Sequence, residues 1–160
     1  MNSLLDKDLI LIRKDVSNYQ EVLELLGNIM IDKGYANPNY IEGLMERERE
    51  FATGVPAEPI GVAIPHTDST FVKEDKIGLL TLNNPVKFGE MGSASNETVE
   101  VKLVILLGLA DGERHIRALQ KIIQLIQNSE FVEKIISANT NEEAYQLLEG
   151  NIEDILQKDV

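Results

Sequence analysis

The amino-acid sequence predicts an α/β layered domain whose β-sheet carries helices on both faces. Segments with helical spacing dominate the N-terminal part, runs rich in Val, Ile and Leu follow, and helical segments return at the end. The chain has 160 residues, of which 43% are hydrophobic and 26% charged, as is typical of a folded domain with one core. We therefore expect residues 1–160 to form a single domain.

The N-terminal part predicts one strand and one helix. Leu9–Ile12 is a short apolar run that is typical of a strand. Ser17 and Asn18 are each followed at capping-box spacing by Gln or Glu, and Lys33-Gly34 combines a basic residue with a glycine, as helix ends often do. These signals predict a helix over about residues 18–33.

A second helix and a loop are predicted before the central strands. Asn37-Pro38 is a suitable helix start, because Asn can cap a helix and Pro is tolerated at its first position. Residues 40–45 give this helix an apolar side, whereas residues 46–50 are all charged and are ordinarily interpreted as a solvated face. The glycine and prolines within residues 53–59 then predict a loop.

Three runs in the middle of the chain predict strands, at residues 60–64, 77–82 and 99–109. Residues 101–107 are almost continuously apolar, which indicates a central strand covered on both faces. A turn is predicted at Asn83-Asn84-Pro85, and a mobile loop at residues 89–96.

The C-terminal part predicts three helices. The first opens at residues 111–115, the second near Ser129, and the third at Thr140, with an end at Gly150. The remaining residues, 151–160, could add one helical turn or fray.

The charge of the chain limits its partners. The formal net charge is -12 and no window concentrates Lys or Arg, so the charge disfavours nucleic acid and anionic lipid surfaces as partners, whereas a basic protein is a suitable one. No apolar run approaches the length of about 20 residues that spans a bilayer, and the N-terminus does not resemble a signal peptide. We therefore expect a cytoplasmic protein without direct membrane insertion.

His66 is the strongest candidate for a chemical role. It follows a predicted buried strand and Pro65, whose fixed φ sets the direction of the next side chain. Since cysteine is absent and an unperturbed imidazole has a pKa of about 6.5, a neutral histidine is a suitable covalent nucleophile for a phosphoryl group. For a histidine taken without context, a surface or half-buried residue with no role is the more frequent interpretation.

A phosphoryl group on His66 needs nearby donors or cations, especially in so acidic a chain. Arg47, Arg49 and His115 are the candidates, and His115 lies in a first helical turn, where free N–H groups can hold an anion. A capping or core-edge role for His115 is an equally good interpretation. Neither a nucleotide-binding glycine loop nor metal-ligand spacing is present in the sequence, so we expect no cofactor and no metal.

Several motifs of the chain, in the same order, resemble those of the type-2 IIA proteins of the bacterial sugar phosphotransferase system, which serve fructose, mannitol and galactitol uptake. The similarity covers nearly the whole chain and includes residues 40–48, 61–66, 112–116 and 145–148. The resemblance implies a mixed sheet flanked by helices. It also implies that His66 takes a phosphoryl group from the histidine carrier protein HPr and passes it to a cysteine of a IIB component, which acts with the membrane component IIC.

By the same resemblance Arg47 and His115 belong to the phosphoryl environment, whereas Arg49 does not match the family pattern. Thr67-Asp68 and residues 51–56 and 85–92 look most like the galactitol branch. A regulatory IIA, similar to the nitrogen-related branch and using His66 as a switch that binds other proteins, is the alternative. A non-catalytic acidic binding module is the third and more distant interpretation.

Overall fold

A computed structural model describes residues 4–157, with side chains described as far as Ile152. Within this part of the chain one β-sheet has five strands: β1 (Ile10–Lys14), β2 (Gly54–Val55), β3 (Gly61–Ala63), β4 (Lys76–Gly89) and β5 (Thr98–Gly108). The strand order is β1-β4-β5-β3-β2. β1 pairs parallel with β4 and β3 parallel with β5, whereas β4–β5 and β2–β3 are antiparallel. The sheet is therefore mixed.

Helices cover both faces of the sheet. The described helices are α1 (Tyr19–Asp32), α2 (Tyr40–Glu50), α3 (Gly112–Leu125), α4 (Ser129–Ile136) and α5 (Asn141–Gln157). Leu103, Ile105 and Leu107 of β5 pack in the cluster that includes α3, α4 and α5, whereas Val104 and Leu106 pack with α1 and α2. Because side chains alternate across a strand, one apolar strand serves both cores. The predicted α/β layers and the buried central strand are confirmed.

The turn predicted at Asn83-Asn84-Pro85 is wrong, because β4 runs through these residues. Pairing with β5 is interrupted between Thr81 and Val86, where β4 carries extra residues. Pro has no N–H to donate to a ladder, and a bulge is one of the few places in a sheet that tolerates it. The Asn83 side-chain amide donates to the carbonyl of Arg13 (2.9 Å).

The helix boundaries differ from the prediction at two places. α2 begins at Tyr40 and not at Asn37-Pro38, because Asn37 is hydrogen-bonded to the segment around Thr70 and Phe71. The end predicted at Gly150 is wrong, since α5 continues to Gln157, and a glycine costs a helix only about 1 kcal/mol. Residues 158–160 of the predicted tail lie outside the described residues. Between residues 4 and 157 no helix has the length and apolar character needed to cross a bilayer.

Candidate functional site

His66 lies three residues after the end of the short strand β3, and main-chain hydrogen bonds hold the two residues before it on both sides. The Ile64 N–H donates to the Thr53 carbonyl (3.1 Å), and the Leu107 N–H donates to the Pro65 carbonyl (3.0 Å). These bonds extend the sheet to the residue before His66. The imidazole is therefore presented from a rigid base, and it is only 8% exposed.

The His66 ring has one nitrogen fixed by the backbone. Nδ1 lies 2.8 Å from the Ile64 carbonyl oxygen. A carbonyl only accepts hydrogen bonds, so Nδ1 must carry the proton that it donates. In the neutral ring the lone pair is then on Nε2. Nε2 is the nucleophilic nitrogen of this arrangement.

The structure brings His115 against His66. Their ring centroids are 4.9 Å apart, with the planes tilted by 54°. His115 belongs to the first turns of α3, which begins after the N-cap Asp111, and its main-chain N–H donates to the Asp111 carbonyl (2.9 Å). Its Nδ1 is buried and has no hydrogen-bond partner among the described residues. One polar atom beside His66 is thus available for a further partner.

An ion pair that the sequence does not predict holds the start of α3. Arg114, next to His115, donates through Nε to Oδ2 of Asp75 (2.9 Å) and forms a salt bridge with the same carboxylate. The other oxygen of Asp75 accepts from the Ala110 N–H (2.8 Å). Asp75 immediately precedes strand β4. It therefore connects this strand to the loop before α3 and to the first turn of α3.

Arg47 contributes the positive charge near the two histidines. It lies on the exposed side of α2, with its guanidinium 4.4 Å from the centre of the Phe51 ring. A cavity of about 880 Å³ lies beside the C-terminal end of α2 and the β4–β5 hairpin, and both Arg47 and His66 line it. Arg49, which does not match the family pattern, lines the same cavity.

Burial and like charge keep both imidazoles neutral near pH 7. Burial lowers the pKa of His66 and the charge of Arg47 lowers it further, although the bond to Ile64 opposes the change. Burial, then His66 and Arg47, lower the pKa of His115 to about 4, against the opposing charge of Asp68. The site therefore combines a neutral imidazole with its lone pair on Nε2, a second neutral imidazole and a permanent cation.

The lowered pKa of His115 predicts that the protein loses stability in mild acid. The unfolded chain binds a proton at this residue below its ordinary pKa of about 6.5, whereas the folded chain does so only near 4, so stability falls as the pH decreases between these values. From pH 7 to pH 5 we expect a loss of about 1 kcal/mol from His115 in the free energy of unfolding, measured with urea, because solvent screens part of the interaction at this partly buried ring. The His115→Gln variant should lose correspondingly less, and equal losses in both proteins would contradict the assignment.

The charged residues around Glu48 predict that it lies on a solvated helix face, and for Glu48 this prediction is wrong. It is 6% exposed, and its carboxylate accepts hydrogen bonds from the main chain and side chain of Thr53. Helical spacing is the sequence signal that could have found it, because Glu48 lies four residues after the buried Leu44 and eight after the buried Tyr40. As for metals, the described residues contain no group of three or more His, Cys, Asp or Glu side chains that could hold one.

The chain matches the family model described as "Phosphoenolpyruvate-dependent sugar phosphotransferase system, EIIA 2" over residues 3–151. It is 32% identical over 117 residues to the galactitol-specific EIIA component of Escherichia coli K12, covering 73% of this chain and 77% of that protein. It is 32% identical over 148 residues to the mannitol-specific phosphotransferase enzyme IIA component of Geobacillus stearothermophilus, covering 91% and 94%.

The fold is also found in a solved structure. In the complex of enzyme IIA mannitol with phosphorylated enzyme IIB mannitol from Escherichia coli, the matching chain superimposes with a TM-score of 0.75 at 19% identity, covering 92% of this chain and 99% of that one. This likeness concerns the fold. The family match itself extends over most of the chain and includes both histidines and Arg47, so the chain belongs to the type-2 EIIA family of the phosphoenolpyruvate-dependent sugar phosphotransferase system.

Proposed function

We propose that this protein is a cytoplasmic phosphoryl carrier of sugar uptake. His66 accepts a phosphoryl group from phosphorylated HPr and donates it to a cysteine of a IIB component, which phosphorylates the sugar with the membrane component IIC. The observation that carries the proposal is the hydrogen bond from Nδ1 of His66 to the Ile64 carbonyl. This bond leaves Nε2 unprotonated, with its lone pair available, in a residue that lines the cavity.

In the accepting step the Nε2 lone pair of His66 attacks the phosphorus of the donor phosphohistidine. The new P–N bond forms as the donor P–N bond breaks, and the donor ring leaves with that electron pair. Positive charge develops on the His66 ring, where Nδ1 keeps its proton. The Ile64 carbonyl, 2.8 Å from Nδ1, stabilises that charge through a stronger hydrogen bond. The donating step reverses these changes, with a cysteine thiolate as the attacking group.

Arg47 and His115 are proposed to stabilise the transferred group. The phosphoryl oxygens carry negative charge in a chain with a formal net charge of -12, so a local cation is needed to offset repulsion. Arg47 is close enough to lower the pKa of both histidines. The unpartnered Nδ1 of His115 can donate to a phosphoryl oxygen in the neutral tautomer that carries the ring proton on Nδ1.

We further propose galactitol or a related polyol as the transported sugar. The similarity to the galactitol-specific component of Escherichia coli and the Thr67-Asp68 sequence after His66 support this choice. The mannitol-specific relative matches a longer segment at equal identity, so the test must compare acceptors directly.

Reconstitution tests the proposal. Incubation with phosphoenolpyruvate, enzyme I and HPr should add one acid-labile phosphoryl group, detected in the intact mass, and omission of HPr should prevent the gain. The phosphorylated protein is then mixed with IIB components specific for galactitol and for mannitol. Faster discharge to the galactitol component is expected. No mass gain would refute the carrier function, and a phosphorylated protein that discharges to no sugar IIB component would favour the regulatory alternative.

A further inference from the structure

Glu48 is a buried carboxylate next to the proposed site, and the transfer chemistry leaves it without a role. It follows Arg47 in α2 but points away from solvent, so the two residues occupy different sides of the same helical turn. Its Oε2 accepts from the Thr53 N–H (2.8 Å) and its Oε1 from the Thr53 hydroxyl (2.8 Å). Both oxygens are thus occupied by donors from one residue.

These bonds continue to the His66 ring. The Thr53 carbonyl accepts from the Ile64 N–H (3.1 Å), and the Ile64 carbonyl accepts from Nδ1 of His66 (2.8 Å). All four residues of the series, Glu48, Thr53, Ile64 and His66, are buried. A connected series of hydrogen bonds in a low-dielectric interior holds its members in one arrangement more firmly than separate bonds do.

We propose that Glu48 is a positioning residue for phosphoryl transfer. Through Thr53 and Ile64 it fixes the orientation and tautomer of the His66 ring, and through α2 it fixes the place of Arg47 relative to that ring. This inference rests on the proposed carrier function. Glu48 touches neither the reacting nitrogen nor the phosphoryl group. It acts by keeping the His66 ring and the Arg47 guanidinium in the positions that transfer requires.

A carboxylate suits this position better than an amide. Thr53 offers two donors, and an ionised carboxylate offers two acceptors and no donor. Glutamine has nearly the same shape, but its amide nitrogen can meet the Thr53 hydroxyl only if that hydroxyl turns to accept, and the stronger hydrogen bonds to a charged acceptor are then lost. Burial raises the pKa of Glu48 above its ordinary value, and both Thr53 bonds act in the opposite direction, so they offset part of the cost of keeping a buried charge.

The experiment compares Glu48→Gln with Glu46→Gln, an exposed position two residues earlier on the same helix with the same change of charge. Imidazole ¹⁵N NMR on the unphosphorylated proteins reports the tautomer of His66. Wild type and Glu46→Gln should show the Nδ1–H form, and Glu48→Gln a mixture. Steady-state transfer from phosphorylated HPr should fall about tenfold to a hundredfold in kcat for Glu48→Gln, with KM nearly unchanged, because misplacement of a reacting group has this effect.

Two outcomes overturn the inference: a folded Glu48→Gln protein with the wild-type tautomer, or one with the kcat of Glu46→Gln. If Glu48→Gln does not fold, the Thr53→Val variant takes its place in the test. This variant keeps the main-chain hydrogen bonds of residue 53 and removes only the hydroxyl that donates to Glu48. In Thr53→Val, a smaller shift of the His66 ring from the Nδ1–H tautomer toward a mixture supports the inference. An unchanged tautomer population overturns it. Failure of wild type to accept a phosphoryl group would refute the carrier function alone, since the NMR comparison needs no phosphorylation.

Discussion

The His66→Ala variant is expected to accept no phosphoryl group from phosphorylated HPr. Alanine has no nucleophilic atom, and the chain contains no cysteine that could replace the imidazole. The other histidine, His115, has a buried Nδ1 and is not among the residues that line the cavity beside α2, so it is less well placed than His66 to meet a donor protein. The intact mass after incubation with phosphoenolpyruvate, enzyme I and HPr measures the effect.

His66→Asn separates loss of chemistry from loss of structure. The asparagine amide nitrogen can take the place of Nδ1 and donate to the Ile64 carbonyl, which keeps a bond worth about 1 kcal/mol. We therefore expect His66→Asn to unfold in urea almost as wild type does, yet to gain no phosphoryl mass. A phosphorylated His66→Ala protein would show that the nucleophile is elsewhere, and the first residue to test would be His115.

Much of the fold follows from signals that are local in the sequence. The capping-box spacing at Asn18 is realised, since its side chain accepts from the Glu21 N–H (2.9 Å) at the start of α1. The apolar run of residues 101–107 became the central strand because continuous burial requires it. The position of His66 was also local information, since a buried strand and a proline precede it.

The features that the sequence did not predict depend on contacts between distant residues. The strand β4 continues through Asn83-Asn84-Pro85 because β5 pairs with it on both sides of the bulge. Glu48 is buried because Thr53 meets its carboxylate, and Arg114 pairs with a residue 39 positions earlier. Local propensity describes none of these partners. The prediction of a solvated face at residues 46–50 therefore failed at Glu48, which connects α2 to Thr53 in the following loop.

Arg47→Ala is expected to have the largest effect among the residues that support His66. Arginine supplies a permanent charge and several donors, whereas His115 is neutral at rest. Removing such a group from a phosphoryl-transfer site slows transfer by about a hundredfold to a thousandfold. The expected loss is in kcat with phosphorylated HPr, measured by rapid quench. Arg47 lies on the helix surface, so the free energy of unfolding should change by less than about 1 kcal/mol.

Arg49→Ala is the matched control, because it removes the same charge from the same helix and from the same cavity. If the total charge of the cavity governed transfer, both variants would lose activity equally, and this result would contradict a specific role for Arg47. If Arg47 contacts the phosphoryl oxygens, Arg49→Ala should change the transfer rate little and Arg47→Lys should recover part of the rate that Arg47→Ala loses. The His115→Ala variant should lose about tenfold, because the neutral His115 ring contributes a weaker hydrogen bond. The order Arg47, His115, Arg49 in decreasing loss is therefore the result that distinguishes stabilisation of the transferred group from general attraction of the donor.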